Sequence, residues 1–219
     1  LAQQQGLQPI GQWREHFPYQ QTTGVIQGDR IYATTPYAVF AIDADNSVER
    51  FTKITGLNSV DITTAAWDAT TNQLVIAYAS GSIDILKETT IRNLDDIRRS
   101  NISGDKTIQR IVCNNGLAYI CIGLGIVVAD LNRYEIRDTW IIGNNGIQTK
   151  VNGFAADTQF WYAATDEGVK RTPRNNNNPA DFSTWQLINS GIGRGVARQI
   201  ISVNNSIYAL RRDSIYLLN

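Results

Sequence analysis

The sequence predicts an all-β protein, a β-propeller of four-stranded antiparallel blades, with about five blade equivalents in its 219 residues. Three observations lead there. A strand–turn–strand text recurs at a nearly constant interval, most intervals carry an aromatic-marked outer strand, and no segment sustains a helical hydrophobic period.

The recurring text is an apolar strand that ends in small residues, a tight turn, and a second apolar strand. Its clearest copies are Leu74–Ile83, Ala118–Val127, Trp161–Val169 and Ile207–Ile215, and Ile31–Val39 is a first copy without the glycine. The equivalent positions Ala33, Ala77, Cys121, Ala164 and Leu210 are about 44, 44, 43 and 46 residues apart. That interval suits propeller blades and is too long for leucine-rich repeats.

The other two strands of each blade follow from the same frame. Innermost strands fall near Val25, Ile62, Ile108, Val151 and Gln199, and aromatic-marked outermost strands near Trp13, Phe51, Trp140 and Trp185. The second period has Thr90–Leu94 in place of an aromatic strand. A short helix-like stretch, Asn93–Arg99, follows it and is too short to found a helical fold. With strands a to d counted from the axis outward, the blades span about 25–56, 60–97, 108–143, 151–189 and 198–219 of one domain, 1–219. A d-type strand near 12–20 and a final c-type strand at Ile215–Leu218 suggest that the two ends pair, with Trp13 against the last blade. A piece of a larger propeller would give the same text.

Composition narrows the function. Twenty Lys+Arg balance twenty Asp+Glu, which argues against a general nucleic-acid binder and against simple attachment to anionic lipid. No apolar run reaches the length of a membrane span, so no membrane-spanning segment is expected. The chain has no Met, and its polar start, Leu1–Gly6, fits the remainder of a cut export signal or a trimmed chain. Cys113 and Cys121 flank an Asn115-Gly116 hairpin turn. That turn pairs Asn114 with Leu117, Cys113 with Ala118 and Arg110 with Cys121. The two thiols then fall on opposite faces of the sheet, so two free, buried cysteines are expected.

Catalytic chemistry is thinly represented. The sole histidine, His16, sits between Glu15 and Phe17 with no nucleophile-elbow serine to serve, and reads as an outer-strand surface residue. One His and two separated Cys do not make a zinc set. Asp43-Ala44-Asp45-Asn46-Ser47 lacks the glycine and distal Glu of a calcium loop and reads as a c–d turn. Asn175–Pro179, preceded by Lys170, Arg171 and Arg174, reads as a solvated c–d loop, with a sugar or anion contact as the other reading. Gly123-Leu124-Gly125 is a tight b–c hairpin, and Gly191–Gly195 a d–a crossover with no helix after it to bind phosphate. No metal and no cofactor are expected.

Binding residues gather on loops held by a rigid frame. The b–c and d–a loops here bring Tyr37, Asp166, Glu167 and Arg212 together with Arg98, Arg99, Lys106, Lys150, Arg194 and Arg198. The chosen ligand-binding set is Tyr37, Arg99, Lys106, Asp166, Glu167, Arg194, Arg198 and Arg212. Cations arriving from separate loops suit a carboxylate or phosphate on a glycan, whereas scattered surface charge would look similar in sequence.

Two further stretches carry a family resemblance. Thr55–Ile62 and Asp157–Val169 resemble the halves of the two-component-regulator propeller repeat, and Ile10–Tyr19 resembles the start of the amino-terminal propeller of PorZ-type proteins from Bacteroidetes. The likeness runs from about Gly11 to Asn219. It implies a type IX secretion component exposed at the cell surface. It also implies partners among other secretion-system or surface proteins, and contact with anionic glycan or lipopolysaccharide. The related sensors imply the alternative of a periplasmic glycan-sensing propeller.

Overall fold

The computed structural model describes residues 21–218. The strand near Trp13, its pairing with the last blade and the setting of His16 lie outside the described residues.

Five antiparallel sheets follow one another along the chain. The first holds β1 (Gly24–Gln27), β2 (Ile31–Thr34), β3 (Ala38–Ile42) and β4 (Val48–Thr52). The second holds β5 (Ile62–Asp68), β6 (Gln73–Tyr78), β7 (Ile83–Lys87) and β8 (Thr90–Leu94), and the single-turn helix α1 (Asp96–Arg99) comes after it. The third holds β9 (Ile108–Asn114), β10 (Leu117–Ile122), β11 (Gly125–Asp130) and β12 (Glu135–Trp140). The fourth holds β13 (Val151–Ala156), β14 (Phe160–Thr165), β15 (Gly168–Pro173) and β16 (Gln186–Leu187). The fifth has three strands among the described residues, β17 (Gln199–Val203), β18 (Ser206–Arg211) and β19 (Ser214–Leu218). Each sheet is a simple up-and-down meander, the blade topology of a propeller.

Strand side chains alternate between the two faces of a sheet. A middle blade buries both faces, so its strands are apolar at successive positions; β6 and all but the first residue of β10 are fully buried. Four apolar clusters fill the four junctions. Tyr32, Val39 and Phe51 of the first sheet meet Leu74, Ile76 and Tyr78 of the second. Val75, Ile83 and Ile85 meet Ile111, Ile120 and Val127. Tyr119, Cys121 and Trp140 meet Phe154, Trp161 and Trp185. Tyr162, Ala164 and Val169 meet Ile200, Ile207 and Leu218.

Polar bridges fasten the a–b turns of neighbouring sheets. The buried Asp68 carboxylate accepts from the Thr71 amide and hydroxyl at 2.9 and 2.8 Å and from the Gly116 amide of the third sheet at 3.3 Å. The Thr158 amide donates to Asn205 Oδ1 at 2.9 Å, from the fourth sheet to the fifth. Within the first and fourth sheets a b-strand tyrosine donates to the a–b turn aspartate, Tyr32 to Asp29 and Tyr162 to Asp157, each at 2.7 Å.

The hairpin around Asn115-Gly116 has the expected register, Leu117 opposite Asn114, Ala118 opposite Cys113 and Cys121 opposite Arg110. Cys113 therefore packs toward the second sheet and Cys121 toward the fourth, and both thiols are free. Cys121 is fully buried, which pushes its thiol up to about 12, whereas Cys113 is only partly buried, short of the burial expected for both. An aromatic leading each outermost strand is the expectation, and Trp185, directly before β16, meets it. Phe51 lies near the end of β4 and Trp140 ends β12, so they close their strands rather than lead them.

Candidate functional site

In each meander the b–c turns and d–a crossovers share one end of the sheet, and the a–b and c–d turns share the other. The b–c turns of the first four sheets are shaped by glycine or threonine. Gly125 has φ 150, and a Cβ there would strike the Trp140 carbonyl. In the first sheet, which lacks the glycine, the Thr35 hydroxyl accepts from the Ala38 amide at 3.1 Å. Thr165 plays a related part in the fourth, donating to the Gly168 carbonyl at 2.7 Å and accepting from the Glu167 amide at 3.1 Å.

The most built part of this end is a polar cleft of about 380 Å³ beside α1, lined by serines and asparagines together with Asp95, Arg98 and Arg99. Behind its asparagines lies Asp84, a carboxylate with no solvent exposure. One oxygen accepts from the Asn58 amide at 2.8 Å and the Tyr78 hydroxyl at 2.6 Å, and the other from Asn58 Nδ2 at 2.8 Å and Asn93 Nδ2 at 2.9 Å. Burial and then the Asp84 bond raise the Tyr78 hydroxyl far above its ordinary range, so it stays a donor. Asn58 and Asn93 are thereby pinned at the cleft wall, their geometry set before any ligand arrives. Above them Asp95 binds the guanidinium groups of both Arg98 and Arg99, the latter at 3.0 Å. The Arg98 bond holds the Asp95 carboxyl down at about 2. Asp84 and Asp95 together balance the two arginines in charge, and Arg99, the more exposed of the two, stays open to solvent at the rim.

The eight sequence-chosen residues all lie at this end, and no two of their side chains bond one another among the described residues. Arg99 enters the cleft. Lys106 packs beside it, its Nζ donating to the Ser100 carbonyl at 2.5 Å and the Arg98 carbonyl at 3.3 Å. Glu167 accepts from the buried Lys170 at 2.6 Å and from the Asn144 amide at 3.2 Å, so its charge is absorbed internally. Asp166 accepts from Asn152 Nδ2 at 3.0 Å, and that same amide donates to the Ala197 carbonyl at 2.9 Å. Arg194 is exposed with Nε 3.3 Å from Asn189 Oδ1, and its carbonyl accepts from Arg211. Arg198 is exposed, as is Arg212, which sits in the last b–c turn at φ 57. Tyr37 is part-exposed in the first b–c turn.

Sequence reasoning missed Asn58, Asn93 and the cleft serines. The signal available was Asn93, a polar residue near the end of an outer strand where other periods carry an aromatic. Among the described residues no cluster of three or more His, Cys, Asp or Glu could hold a metal ion, and no helix is long and apolar enough to cross a membrane.

Comparison with known proteins extends this picture. The family model described as the TSS9, PorZ, N-terminal β-propeller domain matches residues 31–186. Among solved structures, PorZ, a surface component of the type IX secretion system of Porphyromonas gingivalis, superposes with a TM-score of 0.79 at 22% identity over 90% of this chain and 26% of that one. An extracellular domain described as that of a hybrid two-component system of B. thetaiotaomicron gives 0.70 at 15% identity over 94% of this chain and 28% of that one. A second such domain from the same organism gives 0.61 at 17% identity, over 86% of this chain and 25% of that one. The chain thus spans about a quarter of the length of each of these proteins. No curated protein matches it.

Proposed function

The chain belongs to the PorZ N-terminal β-propeller family, and from that premise we propose that it is a non-catalytic binding or scaffold module of an exported protein. It works in the periplasm or at the cell surface, beside other secretion-system or surface proteins, and its b–c and d–a loops hold an anionic glycan. One observation carries the ligand part: a cleft walled by pinned Asn and Ser groups and closed by two arginines that share one carboxylate. Hydroxyl-rich sugars match Asn and Ser donors and acceptors. A sugar acid adds the carboxylate that a guanidinium binds bidentately. Arg194, Arg198 and Arg212 supply further exposed cations on the same end. The carboxylates Asp166 and Glu167 are engaged in internal bonds, which supports binding rather than acid–base chemistry at this end.

The test is retention on immobilised acidic polysaccharides. Wild type should be retained, and Arg99→Ala, Arg194→Ala and Arg212→Ala should each weaken retention several-fold, while neutral polysaccharides retain neither. Equal retention of wild type and variants removes the cationic-face reading.

A second reading, the glycan-sensing propeller of a hybrid two-component regulator, is favoured by the fold likeness to extracellular domains of that class. The coding sequence beyond residue 219 separates the two. A second propeller supports the scaffold, and a membrane-spanning helix with a kinase supports the sensor.

A further inference from the structure

At the opposite end of the sheets, where the a–b and c–d turns emerge, the innermost strands β9, β13 and β17 of three consecutive sheets border a cavity of about 390 Å³. One wall is a compact triad of rings, with Tyr119 and Trp161 themselves 5.1 Å apart between centroids. Tyr119 stacks on Phe154 at 4.8 Å between centroids and 20° between planes, and Phe154 stacks on Trp161 at 5.4 Å and 21°. Two arginines from separate elements complete the lining, Arg110 of β9 and Arg174 just after β15. Neither has a carboxylate partner among the described residues.

Arg174 is held in place before any ligand arrives. Its guanidinium lies 4.4 Å from the Trp161 ring centroid, and Nη1 donates to the Asp157 carbonyl at 3.0 Å. A guanidinium has five N–H groups, so this bond leaves a donor edge for a second acceptor. Rigid placement lowers the ordering cost of binding. Arg110 is half-buried, with its face toward the aromatic wall fixed by its pairing with Cys121. Two cations without a carboxylate partner, the exposed Arg174 and the half-buried Arg110, thus converge beside a wall of buried rings. The exposed Ser202 of β17 sits at the rim.

We propose that this cavity binds a small organic anion, a carboxylate carried on a flat ring, with the ring against the Tyr119–Phe154–Trp161 wall and the carboxylate met by Arg110 and Arg174. The volume lies near the small end of ligand pockets and holds a one- or two-ring molecule. The site is separate from the loop end that carries Arg99, Arg194 and Arg212, so either can fail without the other.

Saturation-transfer NMR with benzoate, and with benzamide as its neutral isostere, tests the site on the full chain. Benzoate should bind wild type, and benzamide about tenfold more weakly. Arg110→Gln and Arg174→Gln should each weaken benzoate by about tenfold, the loss of one charge-assisted bond. Ser202→Trp, a change at an exposed strand position, should block the mouth while keeping both charges, and Arg212→Gln at the far end should change nothing. The proposal is overturned by an absence of benzoate binding, by equal binding of benzamide, or by benzoate affinity unchanged in both arginine variants and in Ser202→Trp.

Discussion

The third and fourth sheets meet across a cluster of aromatic rings, whereas the fifth sheet turns side chains of the same apolar kind to solvent. At the first place Tyr119, Trp140, Phe154, Trp161 and Trp185 are all buried. At the second Ile215 is 73% exposed and Leu217 53% exposed, with Ile201 and Val203 beside them. The strand alternation is equally regular in both, since Ile200, Ile207 and Leu218 on the other face of the fifth sheet are buried against the fourth. In a stack of blades an apolar position thus states that a face is built to be covered. Whether it is covered depends on the next sheet.

The largest effect separating the two regions should come from Trp140→Ala. Trp140 packs among Tyr119, Phe154 and Trp185 with centroids 5.6, 6.2 and 6.2 Å away, and its Nε1 donates to Asp138 at 2.7 Å. Truncation removes a large buried ring from a junction too rigid to collapse, and should cost about 3–5 kcal/mol in urea unfolding. A loss below about 1 kcal/mol would mean that the aromatic junction is no better packed than the open face.

The junction between the fourth and fifth sheets is an intermediate case, and it titrates. Tyr162 faces the fifth sheet, and burial, followed by its bond to Asp157, raises its hydroxyl to about 12. Its ordinary value is about 10. A hydroxyl whose folded value is raised stabilises the fold in full below the unfolded value, and that stability is lost as pH rises from about 10 through 12. The urea midpoint should therefore fall across this window, and Tyr162→Phe should lessen the slope without abolishing it, because Tyr32 in the first sheet is raised to about 12 for the same reasons. An unchanged slope in Tyr162→Phe would assign the alkaline loss elsewhere. Asp157 shifts the other way. Burial opposes the shift, but the Tyr162 hydroxyl and the Phe160 and Gln159 amides outweigh it, so its contribution holds above the ordinary carboxylate range and fades as pH falls.

The repeat was legible in the sequence because each blade writes its own strands locally. The equivalent positions Ala33, Ala77, Cys121, Ala164 and Leu210 all fall in b strands, and Asn115-Gly116 set both the register and the opposed thiols. The loop ends were half legible. Their residue content could be read, since turns follow strands, but the partners could not. Lys106 is held by the carbonyls of Arg98 and Ser100, and Glu167 by Lys170 and Asn144. Those bonds depend on how a crossover folds back on its own blade, which no period records. The cavity was invisible for a related reason. Arg110 and Arg174 are sixty-four positions apart in the sequence, and Arg174 was read only with the asparagine run that follows it.

The smallest expected effect is the sharpest test of the comparison. Ile215 lies on β19 with its side chain on the open face, where it loses little water on folding, so Ile215→Ser should change stability by no more than about 0.5 kcal/mol. The same change at Ile207, the buried face of the neighbouring strand, removes a side chain packed against the fourth sheet and should cost several times more. A pair of unfolding curves then reads directly whether the face is bare. If Ile215→Ser costs as much as Ile207→Ser, some surface covers the fifth sheet in solution, and the exposed side chains there are a junction like the other four. If it costs nothing, apolar residues on both faces of a blade mark its place in a repeat and not its burial.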